Sequence, residues 1–209
     1  MFIYSNLATS LDGKIAATDR RKFVLGTKND HLKMEELRKT SDAILTGSST
    51  LRVYKLPYRA RGSQQPINII LSSSLKGISP TWPFFKDSKI PRILFVTSKL
   101  HLAKLRAFEK NSQVIELNQK PVAPQIVKEL ESRGLKRLLI EGGGSIMWEF
   151  VKYDLIDEYH VTLTPWMIGG ERAPTLVDGI GFASKNARKL KLLESNAVGD
   201  ELFVRYKRV

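Results

Sequence analysis

Leu138-Leu-Ile-Glu-Gly-Gly-Gly-Ser145 decides how the chain reads. Leu138, Leu139 and Ile140 are apolar and suit a buried strand. Gly142, Gly143 and Gly144 then allow backbone conformations that a side chain would forbid. After Ser145, the apolar residues Ile146, Met147, Phe150 and Val151 fall on one face of a helix. A strand, a glycine turn and a helix start present free backbone N–H groups to an anion, and the helix dipole assists. Glycines without Cβ atoms let a pyrophosphate approach the backbone closely, so the stretch reads as the phosphate cradle of a dinucleotide. It is neither G-x-G-x-x-G nor a P-loop, since no Gly-Lys-Ser/Thr follows at the required spacing. The triplet alone is equally a tight strand-to-helix turn, so the choice rests on the rest of the chain.

Working outward, strands and helices alternate. Met1 to Ala8 suits a buried first strand, and Asp12-Gly13 is a turn signal that delivers Lys14 as a charged contact or a plain surface lysine. Asn29 or Asp30 is placed to cap a helix with an apolar face of Leu32, Met34 and Leu37, ending near Lys39-Thr40. Asp42 to Thr46 is a short buried strand that runs into Gly47-Ser-Ser-Thr50. There Ser48, Ser49 and Thr50 can cap a helix or hydrogen-bond a phosphate. Residues 52–66 form a basic loop in which Arg52, Lys55, Arg59 and Arg61 either grip a phosphate or are simply solvated. Ile67 to Leu71 is a strand ending in Ser72-Ser73-Ser74, and hydroxyls at a strand's C-terminal end lie where open α/β sheets bind ligands.

Further strands follow at Ile93 to Val96, which ends at Thr97-Ser98, and at Val114 to Leu117. Helices fit Leu100 to Phe108 and Val122 to Arg133, the latter stopped by Gly134. Past the glycine turn, Ile156 to Thr164 is a strand closed by Pro165. Leu190 to Glu194 and Glu201 to Tyr206 form a hairpin joined around Asn196 to Asp200. The alternation predicts an α/β fold with a mixed, mostly parallel sheet flanked by helices, and an antiparallel C-terminal hairpin. With no linker, repeat or low-complexity tract, residues 1–209 read as one domain.

Composition narrows the function. The 209 residues are 42% hydrophobic, enough for a real core, and no apolar run approaches the ~20 residues of a membrane span. The N-terminus lacks a charged region followed by a long apolar one, so no signal peptide is expected. Cysteine is absent, which excludes disulfides, thiolate catalysis and cysteine-ligated zinc, and fits a cytoplasmic setting. His31, His101 and His160 show no ligand spacing, and no metal is expected. The formal charge of +13 suits a nucleic-acid surface, attraction of small polyanions, or a solvated basic surface. The charges are spread along the chain without a basic tail, which favours the last.

Taken in order, Ser10-Leu-Asp-Gly-Lys14, Asp42-Ala-Ile-Leu-Thr-Gly47, Asn68-Ile-Ile-Leu-Ser-Ser73, Ile140-Glu-Gly-Gly143 and Thr164-Pro-x-x-x-Gly-Gly170 resemble the C-terminal reductase domain of the bifunctional riboflavin-biosynthesis deaminase/reductase. They equally resemble the stand-alone pyrimidine reductases of that pathway, which share the dihydrofolate reductase fold. The resemblance implies an NADPH-dependent oxidoreductase, commonly a homodimer, that reduces the ring-opened imine of a phosphoribosylaminopyrimidine by hydride transfer. It implies that Gly47, Ser48 and Thr50, with Gly142, Gly143, Gly144 and Ser145, hold the pyrophosphate and nearby ribose. Ser72 and Ser73 would lie near the adenosine 2′-phosphate and Thr97 near the adenine. Lys14 and Glu141 would face the substrate as the catalytic pair, Lys14 giving a proton and Glu141 orienting it or binding ring N–H groups. Asp12, Arg59 and Arg61 would bind substrate, the arginines through its phosphate. The family's acidic residue after the Gly-x-x-Thr turn is missing from Leu51-Arg-Val-Tyr-Lys-Leu-Pro57. That keeps open a same-fold reductase of a pterin or dihydrofolate, and, from another class, a non-catalytic basic protein that binds nucleotide or nucleic acid. The deaminase half is excluded, because its zinc signature needs cysteines.

Overall fold

The structure, a computed structural model, describes residues 1–62, 64–117 and 120–209. Its elements in chain order are β1 (Phe2–Ser10), α1 (Lys28–Lys39), β2 (Ala43–Gly47), α2 (Ser48–Tyr54), β3 (Ile67–Ser72), β4 (Arg92–Val96), α3 (Leu102–Glu109), β5 (Gln113–Glu116), α4 (Val122–Ser132), β6 (Arg137–Ile140), α5 (Gly144–Val151), β7 (Glu158–Thr164), β8 (Leu190–Val198) and β9 (Glu201–Arg208). Contacts divide the chain into two compact units. One comprises Met1 and Glu35–Leu139, the other Phe2–Met34 and Ile140–Val209.

In the first unit the strand order is β5-β4-β3-β2-β6, and β2 to β5 pair in parallel. Every residue of β2 and β4 is buried, as expected where both faces of a parallel sheet are covered. Ile44, Leu45, Ile69, Ile70, Leu94 and Phe95 form its centre, and Leu51, Phe84, Phe85 and Phe108 fill in from the connections. The register sets Gly47 beside Leu71 and Ser72 beside Val96, so the C-terminal ends of β2, β3 and β4 share one edge.

In the second unit β1 and β7 are parallel, and β7, β9 and β8 follow as antiparallel neighbours. The α/β class, the mostly parallel strands and the antiparallel C-terminal hairpin agree with the sequence reading. Three local features differ. Residues from Ser48 continue as α2 as far as Tyr54, so the basic loop begins later than read. The hairpin turn is only Gly199-Asp200: Gly199 sits at φ +60°, which supplies the twist a two-residue turn needs, so β8 extends to Val198. In α1 the expected apolar residue Leu32 is 39% exposed, and the helix's buried residue is Asp30.

Candidate functional site

The second unit carries the loop between β1 and α1. Ser10 starts a tight turn: its N–H donates to the Lys14 carbonyl at 2.9 Å, and its hydroxyl oxygen accepts the Lys14 N–H at 2.9 Å. Gly13 takes the positive φ, +79°, that the turn requires. Asp12 is spent on holding the loop. Its Oδ1 accepts the Ser10 hydroxyl at 2.6 Å and the Ile168 N–H at 3.1 Å, and its Oδ2 accepts the Gly169 N–H at 2.7 Å. The Ser10 hydroxyl and these backbone donors hold the Asp12 carboxyl at about 2. Expected to bind substrate, Asp12 is thus placed to fix the loop from which Lys14 projects. Lys14 is half-buried, forms a bridge to Thr175, and its Nζ reaches the Ala173 carbonyl at 3.4 Å, a long bond easily exchanged.

The glycine turn belongs to the same unit, and its three glycines are there for different reasons. Gly142 sits at φ +84°, where a Cβ would also meet Leu7 Cδ2 at 2.9 Å. Gly144 packs on the 175–178 turn: a Cβ there would lie 2.4 Å from both the Thr175 carbonyl and Asp178 Oδ2. That turn is closed by Asp178 Oδ1, which accepts the Thr175 N–H at 3.0 Å and its hydroxyl at 2.6 Å. Gly143 is the accessible one; a Cβ there would meet only Ile15 Cδ1, at 3.6 Å. It is also the N-cap of α5, and no side chain caps that helix. An exposed Ser145 and an uncapped helix N-terminus behind a half-buried Gly143 suit an anionic group such as a pyrophosphate. Glu141, half-buried, precedes them.

The first unit holds the remaining expected cofactor residues. Gly47 is the N-cap of α2, with no side-chain cap, followed by half-buried Ser48 and Thr50. Ser72, Ser73 and Thr97 close the neighbouring strands on the same edge, with the Thr97 N–H donating to the Ser72 carbonyl at 3.2 Å. Ser72 is 6% exposed and its hydroxyl oxygen accepts the Leu75 N–H at 3.1 Å, so it shapes the turn; Ser73 and Thr97 are exposed.

Arg59 and Arg61 are not brought to that edge. The Asn68 side chain, at the start of β3, accepts the Tyr58 N–H at 2.7 Å and donates to the Tyr58 carbonyl at 2.9 Å. This draws the segment carrying the two arginines to the opposite strand ends. There Arg59 pairs with Asp87 at 2.6 Å and Arg61 with Glu35 at 2.7 Å. Each is thus ion-paired with a carboxylate near the surface.

An acid that sequence reasoning took for a helix cap completes the second unit. The N-cap of α1 is Thr27, whose hydroxyl oxygen accepts the Asn29 N–H at 3.2 Å. Asp30 then falls at the third helical position, where a carboxyl ordinarily reaches back to the cap's N–H. Glu201 of β9 has taken that donor: its Oε1 accepts the Thr27 N–H and its Oε2 the Thr27 hydroxyl, both at 2.6 Å. The Asp30 carboxyl turns inward instead, against Gly26, where a Cβ would lie 2.2 Å from Oδ2. Thr162 of β7 hydrogen-bonds it, and burial, opposed by that bond, raises its pKa, with the charges of Glu201 and Glu141 adding to the rise. The sequence signal was Thr27-x-x-Asp30, a capping pattern in which the third position is released by a residue 171 places on.

The mostly parallel α/β scaffold with its antiparallel C-terminal strands is that of reductase domains of the dihydrofolate reductase-like fold. The fold is similar to that of a pyrimidine reductase-like protein from Corynebacterium diphtheriae, with a TM-score of 0.85 and 21% identity over 100% of this chain and 92% of that one. It is also similar to Acinetobacter baumannii RibD, with a TM-score of 0.81 and 17% identity over 100% of this chain and 58% of that one. Residues 1–204 match the RibD C-terminal domain, and the chain belongs to that family. It is 28% identical to the 2,5-diamino-6-ribosylamino-4(3H)-pyrimidinone 5′-phosphate reductase of Methanothermobacter thermautotrophicus, over 98% of this chain and 97% of that protein. Identity to the reductase of the same name in Aquifex aeolicus is 30%, over 94% and 92%. Against the riboflavin biosynthesis protein RibD of Bacillus amyloliquefaciens it is 26% identical and spans 56% of that protein. The chain is an oxidoreductase of the riboflavin-biosynthesis reductase family, with which a nicotinamide cofactor is consistent. Among the described residues, no helix is long and apolar enough to cross a membrane, and no group of His, Asp or Glu could hold a metal ion.

Proposed function

We propose that this chain is a cytoplasmic, NADPH-dependent reductase of a phosphoribosylaminopyrimidine, either the 2,5-diamino-pyrimidinone or the 5-amino-uracil form. The observation that carries the reading is likeness over nearly the whole chain to reductases so named, with Lys14, Glu141 and the glycine turn falling in one unit. When bound, the cofactor supplies a hydride. Gly143, with the N–H groups at the start of α5, would take the pyrophosphate. Ser48 and Thr50 would steady the ribose, and exposed Ser73 and Thr97 would meet the adenosine 2′-phosphate and the adenine.

At the substrate, the hydride joins C1′ of the open-chain imine, the C=N pair moves to nitrogen, and nitrogen takes a proton. Lys14 is assigned that proton. Its ammonium rests on one long bond to Ala173, so it can turn to the imine nitrogen without breaking a strong contact. Asp12 positions it by holding the loop to Ile168 and Gly169. Glu141 orients the ammonium as its charge changes. The outward leucines of β8, Leu192 and Leu193, are 47% and 37% exposed on an outermost strand, which supports a homodimer formed through this hairpin.

The test is calorimetric titration with NADPH and NADH, followed by nicotinamide absorbance with each pyrimidine. NADPH binding with substrate-dependent oxidation is the expected result. Cofactor binding with turnover of dihydrofolate or a pterin in place of either pyrimidine would move the substrate. Salt-sensitive binding to DNA with no nucleotide affinity would overturn the reading altogether.

A further inference from the structure

One turn of the second unit serves two parts of the site at once. Residues 173–178 follow Gly169-Gly170 and belong to no helix or named strand. On one side they receive the Lys14 loop. The Ile15 N–H donates to the Pro174 carbonyl at 2.9 Å, Lys14 bridges to Thr175, and Lys14 Nζ reaches the carbonyl of buried Ala173 at 3.4 Å. On the other side they receive the glycine turn. The Asp178 N–H donates to the Gly144 carbonyl at 3.0 Å, and the Thr175 carbonyl and Asp178 Oδ2 lie so close to Gly144 that no Cβ fits. Ile15 closes the circuit, because its Cδ1 lies against Gly143.

The shape of this turn rests on one carboxylate. Asp178 Oδ1 accepts the Thr175 N–H at 3.0 Å and the Thr175 hydroxyl at 2.6 Å. A side chain that accepts from a backbone group three residues back fixes a loop that has no helix or ladder of its own. Asp12 ties the Lys14 loop to Ile168 and Gly169. The turn that Asp178 closes ties the same loop to the glycine turn.

We propose that Asp178 is a positioning residue for the reduction: by closing the 175–178 turn, it holds Lys14 in a fixed place relative to the cradle at Gly143 and Gly144. This rests on the functional reading above and deepens it. Hydride and proton go to the two ends of one bond, the carbon and the nitrogen of the imine, so their donors have to be in register with each other. The hydride donor is seated from the glycine turn and the proton donor from the Lys14 loop. Asp178 touches neither substrate nor reacting atoms. It acts through the turn that both sides share.

The experiment is single-turnover reduction of each pyrimidine by bound NADPH in a double-mutant cycle of Asp178→Ala and Lys14→Met, with NADPH affinity measured by calorimetry on every variant. Asp178→Ala alone should slow the reaction about thirtyfold, the order of loss that a misplacement of about an ångström brings. Its NADPH affinity should stay close to that of wild type, because the bond to the Gly144 carbonyl uses the main chain of residue 178. In the Lys14→Met background the same substitution should change the rate less than about twofold, since no ammonium is left to place. Asp178→Asn keeps an oxygen that can accept both Thr175 bonds and should restore most of the lost rate. Thr175→Val removes only the hydroxyl bond. It should show a smaller loss with the same dependence on Lys14, and it carries the test should Asp178→Ala not fold. Equal losses with and without Lys14, or a loss confined to NADPH affinity, overturn the proposal and leave the functional reading intact. A wild type that reduces neither pyrimidine overturns both.

Discussion

Gly47-Ser-Ser-Thr50 and Gly142-Gly-Gly-Ser145 look alike as letters: each follows a buried strand and each opens a helix. Their construction differs. At the first, Gly47 has φ −90° and ψ 157°, a conformation open to any residue, and the Ser49 hydroxyl oxygen accepts from Arg52 at 2.9 Å. At the second, two of three glycines are demanded by the protein itself, one by its backbone angle and one by the turn packed against it. The same distinction separates Ser72 from Ser73 and Asp12 from Lys14. In each pair one residue is consumed by the fold and its neighbour is left available. Sequence shows the chemical type of both; only the structure shows which is already spoken for.

The largest effect should come from Gly144→Ala. The added methyl would lie 2.4 Å from a backbone carbonyl that cannot swing away. Overpacking of that severity costs about 3 kcal/mol, which lowers the melting temperature by roughly 6–12 °C in a chain of this size. Thermal unfolding without any ligand measures it. A melting temperature within a degree of wild type would mean that the 175–178 turn yields, and the contrast between the two junctions would weaken.

Gly142→Ala should come next, at about 1–2 kcal/mol, because a non-glycine residue must enter the left-handed region; the clash with Leu7 Cδ2 can relax through the side chain. Gly143→Ala then sharpens the comparison. Its methyl meets ordinary van der Waals distance, so stability should stay within about 0.5 kcal/mol. NADPH affinity should nevertheless fall about tenfold, a loss of ~1.4 kcal/mol of binding, if the pyrophosphate rests on this face. Unchanged affinity would remove Gly143 from the cofactor site.

Ser72→Ala and Ser73→Ala separate the two roles at a strand end. Removing the Ser72 hydroxyl leaves the buried Leu75 N–H unpaired and should cost about 1 kcal/mol of stability. Ser73→Ala should leave stability alone and narrow the preference for NADPH over NADH, measured as the ratio of the two dissociation constants.

How far the letters carried follows from these cases. The strands were legible because β2 and β4 carry the apolar runs Ala43-Ile-Leu45 and Ile93-Leu-Phe-Val96, and the α/β class followed from their spacing. The expected site residues were legible as types: small residues after strands, a lysine after Asp-Gly, a glutamate before the glycines. Three things were not. The ion pairs of Arg59 with Asp87 and of Arg61 with Glu35, two residues expected to bind phosphate, form only after folding. The length of β8 depended on a two-residue turn hidden in Asn196 to Asp200. Asp30 was hidden because its release from capping depends on Glu201, far along the chain.

Asp12 gives the smallest and most specific effect, and it separates a loop tie from a substrate contact. Its carboxyl, held at about 2 by the Ser10 hydroxyl and the Ile168 and Gly169 N–H groups, lies below the ordinary value of 3.8. A carboxyl depressed by folding adds stability that is fully present above its unfolded value and is lost as pH falls through its folded one. Wild type should therefore be more stable than Asp12→Asn at pH 6, with the difference shrinking below about pH 4 and gone near pH 2. Melting temperatures of the two proteins across that range measure it directly. A deficit in Asp12→Asn that persisted unchanged to pH 2 would show that geometry, not charge, ties the loop. Equal melting temperatures at every pH, with a raised KM for the pyrimidine, would instead return Asp12 to the substrate.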